Sequence, residues 1–338
     1  MNEVDDRYAG YALCREMLET PQVVQSLEVE RIRAVSPPGE RVVLTGEGSS
    51  RIFPGRRAVH AALQQGERRC IRTESAHEAA GYRFTDETVF VASNSGKTAE
   101  CVRLIRRLRK QGFGGRVIGV AGAGDTPVAG ESDEAYVLTC GREAAVAATK
   151  SVMEQALVYD LYLRLHAGRS LPDLPRLAED IETALTFPIP AEIAETVAAA
   201  PVLYFAGANN GVAEELTLKA NEIVRGRSDF LPGTYAVHGV EEVMDAQDVL
   251  IWIDPPREYE EKFSTVLSQG VGLSVIALSS RQTSFETLRV PTPPESELAP
   301  YVELAAGWNL LVEAGIQAGL DLDKPERARK VGNEYVGD

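Results

Sequence analysis

Short runs of aliphatic and β-branched residues alternate along this chain with longer segments of helical periodicity. The runs predict strands at 41–45, 88–92, 116–121 and 135–139, and again at 202–206, 249–253 and 272–278. The helical periods predict helices at 8–35, 56–65, 98–111, 143–166 and 212–226. This alternation is typical of an α/β protein with a doubly wound parallel sheet.

The pattern occurs twice. It restarts after a seam near residues 188–191, and the strand endings at Gly46 and Gly207 are 161 residues apart. A period this long predicts a duplicated α/β unit, not a short-repeat solenoid. The predicted organisation is an N-terminal helical segment at 1–36, a first subdomain at 37–185, a second at 186–320 and a tail at 321–338.

Composition and charge narrow the classes of function. The chain has 338 residues, of which 44% are hydrophobic and 25% charged, as in ordinary globular proteins. Its formal net charge of −15 argues against sequence-independent binding to nucleic acid or to an anionic membrane. If the substrate is an anion, its attraction must therefore be local, from helix N-termini and a few cations.

Cysteine usage and the N-terminus point to a cytoplasmic protein. The four cysteines have no paired spacing, so we expect buried thiols in a reducing compartment; they are Cys14, Cys70, Cys101 and Cys140. The first residues are acidic and lack the apolar core of a signal peptide. No apolar run is long enough to cross a bilayer.

Two hydroxyl-rich turns follow predicted strands of the first half. They are Gly46-Glu-Gly-Ser-Ser50 and Ser93-Asn-Ser-Gly-Lys-Thr98. Each combines hydroxyl donors, a glycine that permits close backbone approach and the start of a helix, a setting that favours an anion. One such turn alone is equally consistent with a helix cap. Two turns on adjacent strands, beyond their carboxyl ends, favour a binding site.

Neither turn is a nucleotide motif. A P-loop ending at Gly96-Lys97-Thr98 would need a glycine where Val91 stands. A dinucleotide fingerprint starting at Gly46 would need one at position 51, which is Arg51.

The second half carries residues of the types that can transfer protons. Glu215, Lys219 and Glu222 are spaced i, i+4 and i+7 in a predicted helix and therefore share one face. Such a trio alone is more often a solvated salt-bridge face. His238 alone is likewise more often structural than catalytic.

Taken together, these motifs resemble the sugar isomerase (SIS) domain family over about residues 40–330. The nearest pattern is the isomerase domain of glucosamine-6-phosphate synthase and its single-chain relatives. The resemblance implies two tandem flavodoxin-like, doubly wound SIS subdomains with parallel sheets in three α/β/α layers. It implies that the turns bind the anionic group of a sugar, through Gly48, Ser49, Ser50, Ser93, Ser95, Gly96 and Thr98.

The resemblance also implies roles for the second half and the tail. Glu222 becomes the carboxylate that shuttles a proton between C1 and C2, with Glu215 and Lys219 on the same helix. His238 opens the sugar ring and comes from the neighbouring subunit of a homodimer. In the tail, Lys330 follows Pro325 at the family's spacing, and serves as a charge or as a Schiff-base amine.

Some positions depart from the family's pattern. Lys97 stands where glutamate is common, so Lys97 and Arg51 are candidate cations for the anion, a sulfonate included. Ala148 replaces a serine that can contact substrate, and Val240 replaces the proline that usually follows His-Gly. The synthase's glutaminase domain does not precede these motifs, so glutamine-dependent amination is not expected.

The primary prediction is therefore a metal-independent aldose–ketose isomerase, without a cofactor, acting on a 6-phosphorylated or similarly anionic hexose through an enediolate. One alternative is a deglycase or deaminase that releases an amine from a fructosamine or amino-sugar 6-phosphate. A sugar-phosphate sensor is a third, although sensors usually lack the carboxylate. The expected partners are the small sugar anion and a second copy of the chain, with no nucleic acid or membrane.

Overall fold

The computed structural model describes residues 1–2, 4–292, 296–330 and 332–336, and the chain forms two compact units. The turn unit comprises Gln22–Glu143, Ala148–Leu174 and Arg329–Asp338. The carboxylate unit comprises Met1–Pro21, Ala144–Ala147 and Pro175–Ala328. The limits of the four segments predicted above stay predictions, and positions 331, 337 and 338 of the predicted tail lie outside the described residues.

The strands of the turn unit are β1 (Arg41–Gly46), β2 (Cys70–Ser75), β3 (Thr88–Ser93), β4 (Arg116–Ala121) and β5 (Glu134–Val137). Those of the carboxylate unit are β6 (Val202–Gly207), β7 (Arg227–Pro232), β8 (Val249–Ile253), β9 (Ser274–Ser279) and β10 (Glu286–Arg289).

The α-helices are α1 (Asp6–Ala9), α2 (Ala12–Leu18), α3 (Thr20–Gln25), α4 (Val29–Arg33), α5 (Ile52–Gln64), α6 (Ala76–Ala79), α7 (Ala99–Lys110), α8 (Pro127–Glu131), α9 (Lys150–His166), α10 (Leu174–Thr186), α11 (Ala191–Ala199), α12 (Val212–Lys219), α13 (Arg257–Phe263) and α14 (Ala299–Gln317). Short π-helical turns extend α12 over Ala220–Val224 and α13 over Ser264–Val271.

Each unit contains, among the described residues, a parallel sheet of five strands. The order is β2-β1-β3-β4-β5 in the turn unit and β7-β6-β8-β9-β10 in the carboxylate unit. Numbered from the start of each sheet, both orders read 2-1-3-4-5, the flavodoxin-like arrangement. The predicted fold class and its duplication are therefore confirmed.

The core of each unit packs against its sheet. In the turn unit, β3 is buried along its whole length, and its Val89 and Val91 pack with Val102 and Ile105 of α7. Strands buried on both faces read as continuous apolar runs, which explains why the central strands were predictable. No helix among the described residues is long and apolar enough to cross a membrane.

The sequence pattern did not predict β2, β7 or β10. These strands lie at sheet edges and each has one fully buried position, so they lack the continuous apolar run of a central strand. Cys70, expected to be buried, is exposed at the start of β2, whereas Cys14, Cys101 and Cys140 are buried free thiols as expected.

Two predicted helices are wrong at one end. The helix predicted at 143–166 begins only at Lys150, and the residues before it form a loop. The helix predicted at 212–226 leaves α-helical geometry after Lys219, and its π-helical turn stops at Arg225, whose φ is +56°. A left-handed residue ends a helix because the next backbone groups point away from its axis.

Candidate active site

The turn after β3 gathers three hydroxyl groups. The Oγ of Ser93 lies 2.8 Å from the Oγ1 of Thr98 and 3.3 Å from the Oγ of Ser95. The N–H of Gly96 donates to the carbonyl of Ser93 at 2.8 Å, and Gly96 adopts a φ of +65°. A side chain at Gly96 would place its Cβ 2.1 Å from the Oγ1 of Thr126, so only glycine fits there.

The turn after β1 lies beside it. Gly48–Ser50 forms one 3₁₀ turn that begins at Gly48, with a φ of +54°. The carbonyl of Ser50 accepts a 2.6 Å hydrogen bond from Gln155, while Ser49 is half-buried. Because β1 and β3 are neighbouring parallel strands, both turns meet at the same edge of the sheet, where the strand order reverses.

The two candidate cations beside the turns differ. The Nε of Arg51, directly after the 3₁₀ turn, is buried without a hydrogen-bond partner among the described residues. Lys97 is half exposed, and its Nζ lies 3.3 Å from Glu334 of the C-terminal tail. The first N–H of α7, at Ala99, donates to the carbonyl of Asn333 at 2.9 Å. The tail therefore occupies part of the helix start that the sequence suggested as an anion site.

Glu143 forms a polar centre that the sequence reasoning missed. Its buried carboxylate accepts hydrogen bonds from the N–H of Thr149 at 2.7 Å and from the Oγ of Ser151 at 2.5 Å. The Nζ of Lys330 lies 3.5 Å from Glu143, and Ala148 is half-buried beside Thr149. The sequence reasoning missed Glu143 because the helical periodicity predicted that this segment was the start of a helix.

The electrostatics of Glu143 depend on this lysine. Burial by itself raises the pKa of the Glu143 carboxyl, but the charge of Lys330 and the hydrogen bonds from Ser151 and Thr149 outweigh it, so the pKa is lowered. Glu143 is therefore a carboxylate at neutral pH.

In the carboxylate unit, the predicted trio is assembled but is not a solvated surface. The Nζ of Lys219 lies 3.2 Å from Glu215 and 2.8 Å from Glu222. The side chains of Lys219 and Glu215 are fully buried, while that of Glu222 is 21% exposed. Glu222 stands in the π-helical turn, a deviation often found at functional sites.

Lys219 remains charged in this setting. Burial lowers the pKa of Lys219, but the carboxylates of Glu222 and Glu215 more than offset that effect, so the pKa is raised above its ordinary value. The trio is thus a buried ammonium between two carboxyl groups, of which Glu222 alone reaches solvent.

His238 is exposed and lies apart from the trio. Ala236 and Val237, just before it, pack with Trp252 of β8 on one face of the sheet. The helix α12 packs on α14, where Leu216 meets Gly307. The connections β6–β7 and β7–β8 run in opposite directions across the sheet, so right-handed crossovers put them on opposite faces. Within one copy, the sheet therefore separates His238 from Glu222.

Comparisons with known proteins agree with this architecture. Residues 62–165 match the model of the SIS domain family. A glutamine–fructose-6-phosphate aminotransferase (isomerizing) of Clostridium perfringens is 27% identical over 271 residues, covering 73% of this chain and 44% of that protein. The enzyme of the same name from Aeropyrum pernix is 27% identical over 269 residues, covering 72% and 43%. This chain thus matches less than half the length of these relatives.

Solved structures share the fold. Glucosamine-6-phosphate deaminase from Thermotoga maritima superposes with a TM-score of 0.77 at 19% identity, covering 96% of this chain and 99% of that one. Tagatose-6-phosphate ketose/aldose isomerase from Escherichia coli gives 0.78 at 16% identity, with the same coverage. Residues 62–165 of this chain are therefore similar to the SIS domain, and the repeated 2-1-3-4-5 sheet belongs to a fold that these solved structures share.

Proposed function

We propose that this chain is an aldose–ketose isomerase for a hexose with an anionic group at C6. The observation that carries the proposal is the trio on α12, in which a solvent-reaching carboxylate, Glu222, lies 2.8 Å from a buried ammonium, Lys219. A carboxylate that must remove a proton beside a carbonyl needs access to substrate and a nearby positive charge for the developing enediolate.

The turn unit supplies the anion site in this proposal. The hydroxyls of Ser95 and Thr98 both lie within hydrogen-bonding distance of the Ser93 hydroxyl, and the buried Nε of Arg51 adds a donor. Hydroxyl groups and a guanidinium group can donate hydrogen bonds to the oxygens of a phosphate and to those of a sulfonate alike. We assign Lys97 a smaller role, because Glu334 already pairs with it.

Glu222 transfers the proton. It removes the proton from C2 of the open-chain aldose and returns it to C1, while the hydroxyl proton moves from the C2 oxygen to the C1 oxygen. Lys219 offsets the negative charge of the enediolate and, because its pKa is raised, acts as an ammonium and not as a Schiff-base amine. This proton transfer requires no metal, since a lysine provides the charge.

We infer that His238 assists ring opening from the partner copy of a homodimer. Support comes from the separation of His238 and Glu222 by the sheet of one copy, together with the exposure of His238 and its neighbour Tyr235. An exposed aromatic residue beside a functional side chain is typical of an interface.

The relatives' names support the substrate class. The similar proteins are described as acting on fructose 6-phosphate, glucosamine 6-phosphate and tagatose 6-phosphate. The deaminase among them keeps amine release as the second candidate function, since an amino sugar can pass through the same proton transfer at C1 and C2.

Proton NMR in D₂O tests the proposal. The purified protein is incubated with a panel of 6-phospho and 6-sulfo hexoses and with amine-linked fructose 6-phosphates. Deuterium at C1 or C2 with aldose–ketose interconversion is the expected result. Amine release would replace the isomerase by the deglycase or deaminase. Binding to the panel without any exchange would contradict both and favour a sensor.

A mixing experiment tests the contribution from the partner. Glu222→Gln and His238→Ala are each purified, then mixed after dissociation and reassociated. If each site combines Glu222 of one copy with His238 of the other, about a quarter of wild-type activity returns, because half the dimers are mixed and each contains one intact site. A mixture as inactive as its components would contradict the shared site.

A further inference from the structure

The carboxylate of Glu143 is completely buried, although the residue lies in a loop. Its side chain has no exposed surface, and both oxygens are engaged. One oxygen, Oε1, accepts from the backbone N–H groups of Thr149 at 2.7 Å and Ser151 at 3.4 Å. Burying a charge without compensation is costly, so each of these contacts stabilises the ionised form.

The other oxygen, Oε2, joins two functional elements. It accepts from the Nδ2 of Asn94 at 3.1 Å and lies 3.5 Å from the Nζ of Lys330. Asn94 stands between Ser93 and Ser95 in the anion-binding turn. A single buried oxygen atom therefore connects that turn to the lysine of the C-terminal tail.

The tail continues along the same turn. The N–H of Tyr335 donates to the carbonyl of Lys97 at 2.8 Å, and Glu334 forms a β-bridge with Thr98. Lys330 itself is 29% exposed, so its long side chain needs a partner to keep one position.

We propose that Glu143 is a positioning residue that fixes the ammonium of Lys330 next to the anion turn for the isomerisation, an inference that rests on the proposed function. Glu143 acts through Lys330 and does not touch substrate. Its carboxylate holds the tail lysine and, through Asn94, the turn that binds the anionic group. The position of the tail ammonium and the position of the substrate anion then share one anchor.

The same unit offers a matched control. Glu154 on α9 is also fully buried and accepts from the N–H and Oγ1 of Thr139 at 2.7 and 2.8 Å and from the N–H of Cys140 at 2.7 Å. These donors are neutral and belong to neither the turns nor the tail. Glu154→Gln therefore changes a comparably buried carboxyl group without disturbing Lys330.

The first measurement needs no substrate. Glu143→Gln, Glu154→Gln and wild type are treated with limiting acetic anhydride, and acetylation of Lys330 is followed by mass spectrometry. We expect Lys330 to react several-fold faster in Glu143→Gln alone. Equal rates in all three proteins would overturn the proposal, whether or not the chain is an isomerase. Thermal melts identify a Glu143→Gln protein that fails to fold, and Glu143→Asp then replaces it, with an intermediate rate expected.

The second measurement uses the sugar found in the D₂O panel. We expect Glu143→Gln to lower kcat by about 10- to 100-fold, because the ammonium of Lys330 is misplaced. In a Lys330→Met background, the same substitution should cause no further loss. A full additional loss there would show that Glu143 supports only the structure of the loop, and would overturn the proposal. If the wild-type protein turns over none of the sugars, the proposed function is wrong. The acetylation rates still test whether Glu143 positions Lys330.

Discussion

The two units have the same sheet and put their chemistry in different places. In the turn unit, the polar groups lie in loops at the carboxyl ends of β1 and β3, where the strand order reverses. In the carboxylate unit, Lys219 and Glu222 lie at the end of α12 that leads into β7, and therefore at the amino edge of the sheet. A duplicated topology thus supplies two scaffolds without duplicating a site.

The equivalent turns of the carboxylate unit explain the difference. After β6 the chain reads Gly-Ala-Asn-Asn-Gly211, without a hydroxyl group, and after β8 it reads Asp254-Pro-Pro256. A carboxylate at Asp254 repels an anion, and prolines lack the N–H groups that would bind one. The hydroxyl-rich turns that we propose as the anion site therefore have no counterpart in these two turns of the carboxylate unit.

The largest effect is expected from a substitution that impairs catalysis but leaves sugar binding unchanged. Glu222→Gln should lower kcat by about 10²–10⁴-fold, because it removes the proposed proton shuttle while leaving the turn unit intact. Affinity for the anionic sugar, measured by calorimetry, should stay close to wild type. The exposed carboxylate Glu192 on α11 is the control, and Glu192→Gln should keep full activity. Full activity in Glu222→Gln would show that Glu222 does not transfer the proton.

Next in size is the loss of the buried ammonium. Lys219→Met leaves Glu215 and Glu222 without their shared cation and should destabilise the protein by about 3–5 kcal/mol. Urea unfolding measures the change. The exposed Lys262 on α13 provides the comparison, since Lys262→Met should stay within about 0.5 kcal/mol of wild type. Similar losses in both variants would mean that the trio is not a buried network.

A pair of glycines sharpens the view of the turn unit. Gly96→Ala places a side chain at a φ of +65° and against Thr126, so it should cost about 1–3 kcal/mol and weaken anion binding. Gly130→Ala in α8 meets nothing within 4 Å and should instead stabilise by about 0.4–1 kcal/mol. The two are compared by urea unfolding and sugar titration. If Gly96→Ala binds the anion as tightly as wild type does, this turn does not bind the ligand.

The smallest effect is a dependence on pH. The pKa of Glu143 is lowered in the folded protein, so its stabilising contribution is complete above the ordinary carboxyl range and disappears as the pH falls through the folded value. The melting temperature of wild type should therefore exceed that of Glu143→Gln at pH 7, and the gap should narrow toward pH 3. A gap that stays constant across this range would mean that the charge of Glu143 contributes nothing to stability.

Sequence reasoning succeeded where the information was local. The central strands, the hydroxyl turns and the trio on α12 each lie within one continuous segment, where spacing decides which side chains share a face. It failed for the edge strands β2, β7 and β10 and for the loop at Glu143. Edge strands lack a continuous apolar run, and that loop was mistaken for the first turns of α9.

The sequence by itself determined the repeated α/β pattern, the two hydroxyl-rich turns and the presence of a carboxylate–lysine–carboxylate face. Only the tertiary structure decided that Lys219 is buried and charged, that Glu334 pairs with Lys97, and that the sheet separates His238 from Glu222. It also decided the contact of Glu143 with Lys330, residues 187 positions apart. The physical reason is that periodicity records which way a side chain faces along one element, whereas burial and charge pairing depend on what the rest of the chain brings against it.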